Sequence, residues 1–161
     1  MRSEAEVSRV LNAYADTVQR ICFMHLNNRS DVEDVFQDVF LKYALHDAAF
    51  ESHDHERAWL LRVAINACKD LRKSFWRRRV SSLEDTDTSR LFIADENRDV
   101  LDAVLRLVPP KYRDVIYLHY YEGYKAAEIA AILRQKENTI YTWLTRAREQ
   151  LKRTLGGEPL E

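Results

Sequence analysis

Apolar residues recur at helical spacing along most of this chain, and very little interrupts them. Val32, Val35, Phe36, Val39, Phe40 and Tyr43 fall at i, i+3, i+4, i+7, i+8 and i+11, the stripe of an amphipathic helix. Only three Gly and three Pro occur in 161 residues, too little turn punctuation for a β-rich fold. The fold is expected to be all-α. The length suits one or two small domains, each near the lower limit at which a core sustains itself.

The same periodicity divides the chain. A first helix is expected over residues 4–26, with Val7, Val10, Leu11, Tyr14, Val18, Ile21 and Cys22 on one face. Residues 27–30 read as a turn. Ser30 followed by Glu33 reads as a capping box opening the second helix. A polar loop, 46–56, precedes a third helix that runs to 79. The periodicity then fails. Residues 80–97 are acidic and rich in Ser and Thr, an expected linker in which Leu91, Phe92 and Ile93 form a short docking segment. A short helix over 98–108 is broken at Pro109-Pro110. Helices follow over 111–121, 126–133 and 137–155, the last ended by Gly156-Gly157. The expected organisation is a first domain at 1–79, a linker at 80–97, a second domain at 98–157 and a tail at 158–161.

Net charge is −1, but its distribution is uneven. Residues 31–56 hold eight acids and one base, and residues 57–80 hold eight bases and one acid. Residues 81–102 hold seven acids and two bases, and residues 111–155 hold nine bases and five acids. Two cationic segments therefore alternate with acidic ones, and each is a candidate polyanion site.

In the second cationic segment, a short helix with Ile129, Ala130 and Leu133 meets a turn at 134–137. A longer helix follows, carrying Ile140, Leu144, Ala147, Leu151 and Leu155 on its inner face. That is the spacing of a helix-turn-helix, whose second helix enters the DNA major groove. Its other face offers Asn138, Tyr141, Thr142, Thr145, Arg146 and Lys152 to base edges and phosphates.

In the first cationic segment, Leu60, Val63, Ala64, Ala67 and Leu71 share one face, widened by Leu61, Ile65 and Cys68. Arg62, Asn66, Lys69, Lys73, Trp76 and Arg77 share another. Cations attract phosphates whatever the base sequence, an indole stacks on an unpaired base, and an amide reads a base edge. This combination suits partly opened DNA better than simple duplex. Trp59 reads as core.

These residues carry a resemblance. The run with Trp59, Leu60, Ala64, Asn66, Asp70 and Arg72 resembles the promoter-melting segment of bacterial sigma factors of the extracytoplasmic-function group. SDVEDVFQDVFLKYA (30–44) is similar to the helix with which that family binds RNA polymerase. VPPKYRDVIYLHYYEGYKAAEIAAIL (108–133) and ENTIYTWLTRAREQLK (137–152) look like its second conserved domain. The motifs stand in the family's order and cover nearly the whole chain outside the linker.

The resemblance implies an initiation factor whose partners are core RNA polymerase, promoter DNA and an anti-sigma factor. It implies polymerase docking through Asp31, Asp34, Gln37, Asp38 and Leu41. The loop 46–56 and the following helix would hold a base flipped from the minus-ten element. Asn66, Lys69 and Lys73 would contact the opened strand, and residues 138–148 would read the minus-thirty-five element. Two departures stand out. The family usually has glycine near position 134, where this chain has Arg134, so a different turn or a strained one is expected. Tyr141 and Trp143 replace residues that are often basic, and Trp143 reads as packing.

Two other readings explain less. A stand-alone helix-turn-helix regulator accounts for the second half only. A metal-dependent phosphohydrolase would need His46, Asp47 and residues 53–56 as ligands, but these read as solvated loop residues without further ligands at coordinating spacing. No nucleophile elbow, phosphate-cradling glycine loop or dinucleotide fingerprint occurs, so no enzymatic activity and no cofactor or metal is expected. Cys22 and Cys68 read as buried free thiols, with no zinc spacing. With no signal-peptide pattern and no apolar run near 18 residues, a cytoplasmic protein without membrane insertion is expected.

Overall fold

The computed structural model describes residues 1–81 and 103–156, with side chains for 1–74 and 103–156. Every regular element among the described residues is helical. The expected linker at 80–97, apart from its first two residues, lies outside the described residues. So do the segment Leu91, Phe92 and Ile93, most of the expected first turn of the helix at 98–108, and the tail. The chain divides into two compact units, Met1–Ile93 and Ala94–Glu161.

The first unit is built from α1 (Glu4–His25), α2 (Arg29–Leu45) and α3 (His53–Ser81). Each packs against the other two. Val10, Val18, Ile21 and Cys22 of α1 meet Val32, Val35, Val39 and Tyr43 of α2 and Leu60, Leu61, Ala64 and Cys68 of α3, all buried. Burying one such leucine or isoleucine contributes about 1.5–3 kcal/mol. The stripes read from spacing are thus the faces that pack. Val7, Leu11, Tyr14, Phe36, Val63 and Leu71 sit half-buried at their margins.

Two helix starts differ from expectation. Ser30 does not cap α2. Asn28 does: its Oδ1 accepts from the Asp31 amide at 2.8 Å, and its Nδ2 donates to the Asp31 carboxylate at 3.0 Å. Starting at Asn28 gains this reciprocal pair and lengthens the helix, so Ser30 is left inside the first turn. The reciprocal Ser–Glu box forms instead at α1, between Ser3 and Glu6. The second difference is at α3, which begins at His53 rather than after residue 56. The Ser52 hydroxyl accepts from the His55 amide at 3.0 Å, and the Glu51 amide donates to His55 Nδ1 at 3.0 Å. The connecting loop is therefore residues 46–52.

The second unit is described from residue 103, with a helical turn at 103–105. Pro110 opens α4 (Pro110–Ile116) at a position where its missing N–H has no cost. Arg113 Nε donates to the carbonyls of Leu105 and Val108, 3.0 Å each, tying the preceding turn to α4. The expected single helix over 111–121 changes pitch. Tyr117–Tyr121 is a π-helical turn in which the Glu122 amide reaches the Tyr117 carbonyl at 3.0 Å. Gly123, at φ 81°, then turns the chain toward α5 (Ala126–Leu133) and α6 (Glu137–Thr154).

Both α4 and α5 pack on α6. Ile129 and Ala130 are buried against its inner face, as are Ile140, Leu144, Ala147 and Leu151 on α6 itself. Leu155, expected in that stripe, is 45% exposed because α6 ends one residue before it. Arg134 closes α5 in the left-handed region, at φ 57° and ψ 50°, and the Gln135 amide caps the Ala130 carbonyl at 2.9 Å. A side chain in this conformation costs about 1–2 kcal/mol. Arg134→Gly should therefore stabilise the second unit by roughly 1 kcal/mol in urea unfolding of the full chain; a destabilised variant would contradict the strained-turn geometry.

Candidate nucleic-acid interface

Once the core face of α3 is buried, its polar stripe must point out. Asn66, Lys69 and Lys73 are exposed, while Arg62 is half-buried. Trp76 and Arg77 belong to the same helix, but their side chains lie outside those described. An amide and two ammonium groups thus follow one another along an exposed ridge. Such cations attract phosphate without reading sequence, and the amide adds a group able to pair with a base edge.

On α2 the outer face carries Asp34, Gln37, Asp38 and Leu41, all exposed. Leu41 and Leu45 are each 57% exposed. Asp38 holds Lys42 at 3.1 Å, an exposed pair of small energetic consequence. Asp31 is half-buried and engaged with Asn28, so it serves the helix start as well as the acidic surface. Leu45 adds to this face, and its place four residues after Leu41, off the core stripe, is the sequence signal for it.

Between these surfaces lies the loop 46–52, with an aromatic cluster beneath it. Phe50 stacks parallel to Tyr43 with centroids 6.1 Å apart, and Trp59 lies 4.7 Å from His46 and 5.6 Å from Phe50. Trp59 is half-buried, so it belongs to the loop's floor rather than to the inner core. A cleft of about 340 Å3 opens beside it, lined in part by Arg2, Arg9, Phe50, Ser52, His53 and Glu56.

Glu56, expected at the end of the polar loop 46–56, stands instead on the first turn of α3. It is 4% exposed. Its Oε2 accepts from Arg9 of α1 at 2.9 Å and from the Tyr43 hydroxyl of α2 at 2.8 Å. Burial pushes the Glu56 carboxyl up, but the bonds from Arg9 and Tyr43 and the Arg9 charge outweigh it and hold the pKa below the ordinary range. Burial, with the bond and charge of Glu56, pushes the Tyr43 phenol up to about 12. His53 and His55 stand exposed on the first turn of α3, and among the described residues no group of three His, Cys, Asp or Glu is placed to hold a metal ion.

On α6, Asn138, Tyr141, Thr142, Thr145, Arg146 and Lys152 are all exposed. The Thr142 hydroxyl donates back to the Asn138 carbonyl at 3.0 Å. Trp143 is half-buried, with the Lys111 ammonium of α4 5.3 Å from its ring centroid; it packs between helices. Arg148 donates to the Tyr120 hydroxyl at 3.0 Å, linking α6 to the π-helical turn.

A helix-turn-helix unit, preceded by a helical unit with a mainly acidic outer face on one helix and a mainly cationic one on the next, defines a two-part helical DNA-binding protein. Residues 10–79 match Sigma-70 region 2, and residues 98–151 match Sigma-70, region 4. The chain is 30% identical to the ECF RNA polymerase sigma factor SigL of Mycobacterium tuberculosis, over 95% of this chain and 91% of that protein. It is 26% identical to the ECF RNA polymerase sigma factor SigW of Bacillus subtilis, over 91% of this chain and 87% of that protein. Among solved structures, the sigma factor RpoE of Bartonella quintana, crystallised with the anti-sigma factor NepR, shares the fold. The TM-score is 0.73 at 20% identity, covering 93% of this chain and 96% of that one. The chain belongs to the ECF RNA polymerase sigma factors. No described helix is long and apolar enough to cross a membrane.

The buried carboxylate generates a pH prediction. The folded state holds Glu56 below its ordinary value of 4.5. Its stabilising contribution is therefore full above that value and lost as pH falls through the lower folded value. Glu56→Gln should cost about 1–3 kcal/mol at neutral pH and flatten the acid limb of the unfolding curve below about pH 5. An acid limb identical to the parent's in thermal unfolding would contradict this role.

Proposed function

We propose that this sigma factor docks on core RNA polymerase through α2, directs it to promoters, and captures one strand of the minus-ten element as the duplex opens. The observation that carries the capture step is the exposed run Asn66, Lys69 and Lys73 on a helix whose opposite face is buried. Arg62, Trp76 and Arg77 extend the same stripe in sequence. The loop 46–52, over its aromatic floor, receives an unpaired base beside that ridge.

Docking uses Asp34, Gln37 and Asp38 with Leu41, and Asp31 contributes at the start of the helix. Acidic groups around exposed leucine suit a cationic helical partner: charge steers the encounter, and the apolar contact holds it. In the second unit, Asn138, Tyr141, Thr142, Thr145 and Arg146 face the major groove of the minus-thirty-five element. An anti-sigma factor is a further partner, by analogy with RpoE, whose crystal structure contains one. The match of residues 10–79 to region 2 leaves the stand-alone regulator without an account of the first unit.

The reading separates two defects. Asn66→Ala and Lys73→Ala should lower strand opening about tenfold, leaving closed-complex binding within about twofold. Permanganate footprinting of thymines in the minus-ten region, beside a duplex-binding assay at low temperature, reads both steps. Mutants that open DNA as the parent does would count against strand capture. Arg146→Ala should weaken binding to the upstream element by about 1–3 kcal/mol and relax base preference there. Unchanged affinity and preference in a competition assay with base-substituted duplexes would remove Arg146 from the reading helix.

A further inference from the structure

Arg2 lines the cleft beside the loop 46–52 but belongs neither to the acidic face of α2 nor to the ridge of α3, and its side chain is only 10% exposed. It precedes α1 and reaches the far end of α2. Its Nε donates to the Tyr43 carbonyl at 3.2 Å, in the last turn of α2, and an Nη donates to the Ala48 carbonyl at 2.7 Å, inside the loop 46–52. The guanidinium carbon lies 4.6 Å from the Tyr43 ring centroid and 5.0 Å from that of Phe50. Glu6 holds the other Nη at 3.6 Å, and the Arg2 amide donates to the Ala44 carbonyl at 2.8 Å.

These contacts demand arginine. A planar fork donates to two carbonyls in different directions while its face lies against aromatic rings; a lysine ammonium is a point charge and cannot do both. Besides Arg2, the Met1 ammonium holds the loop from the same end of the chain, donating to the exposed Asp47 carboxylate at 2.9 Å. Across 46–52, the described hydrogen bonds are local to the loop and its flanking helix ends, such as Glu51 to His55, apart from those that reach back to the first residues of the chain. Phe50, which forms part of the loop's floor, is ordered by the Tyr43 ring on which Arg2 also rests.

We propose that Arg2 is a positioning residue for strand capture: it clamps residues 46–52 in the shape that receives an unpaired base, acting through the loop rather than through its own charge on the phosphates. This rests on the reading of that loop given under the proposed function. Its near-complete burial separates this role from that of the exposed Lys69 and Lys73.

The test uses the full chain assembled with core polymerase, as parent, Arg2→Ala and Arg2→Lys. Hydrogen exchange across residues 46–52 reads the clamp. Affinity for a single-stranded oligonucleotide, covering the minus-ten non-template strand of a promoter that the holoenzyme transcribes, reads capture. Core-binding affinity reads global integrity. Both variants should bind core as the parent does, exchange the loop amides several-fold faster and lose about tenfold in strand affinity. Parent-like exchange in Arg2→Ala overturns the clamp and leaves the loop reading standing. Parent-like strand affinity in Arg2→Lys shows that charge alone suffices and overturns positioning. Faster exchange with unchanged strand affinity in both variants overturns the capture role of the loop itself. Weakened core binding in both variants assigns Arg2 to the fold of the unit and overturns the specific role.

Discussion

The Glu56 carboxylate is where the three helices of the first unit agree on their arrangement. It stands on the first turn of α3, takes a hydrogen bond from Arg9 of α1 and another from Tyr43 of α2, and is removed from water. An apolar core built from leucine, valine and isoleucine tolerates small rotations of its helices. A buried charge does not, because losing Arg9 or Tyr43 leaves the buried carboxylate with one donor fewer and no water to replace it. The rotation of α3 about its axis decides whether Asn66, Lys69 and Lys73 face outward. The network that fixes α3 therefore also fixes the ridge.

With that arrangement set, each helix of the first unit serves two solvents. Inward faces are apolar apart from Glu56 and His25. Outward, α2 is acidic with two exposed leucines, and α3 is cationic with an amide. The separation is one of net charge: Lys42 pairs with Asp38 on α2, and Asp70 is exposed beside Lys69 on α3. Under the proposed function, this net separation lets a cationic protein partner and a polyanion be engaged separately. The second unit solves a simpler problem, the presentation of one helix. It accepts a left-handed arginine to do so, since the angle between α5 and α6 is set by the turn at Arg134.

Much of this was legible in the residues because helical periodicity is a local signal. The faces of α2, α3 and α6 follow from spacing alone, and the polar stripes follow from being opposite to them. Arg134 was legible as an anomaly only through the family resemblance, which puts near that position a glycine able to enter the left-handed region without strain. Ser30 and Glu33 have the spacing of a capping box, but Asn28 takes the cap through a side-chain pair with Asp31 that the spacing does not announce. The role of Glu56 was not legible. Arg9, Tyr43 and Glu56 are separated by 34 and 13 positions along the chain, and no periodicity links an arginine on one helix to a carboxylate on another. Arg2 was hidden for the same reason: the carbonyls it bonds and the rings it lies against are more than 40 positions away along the chain.

The central claim is that the outward ridge of α3 touches a separated strand, and proximity tests it most directly. A photoreactive side chain placed at Lys69, in holoenzyme bound to a promoter, should cross-link to the non-template strand of the minus-ten region once the complex opens. It should give little product in the closed complex at low temperature. Cross-links confined to polymerase, or equal in closed and open complexes, would contradict the account.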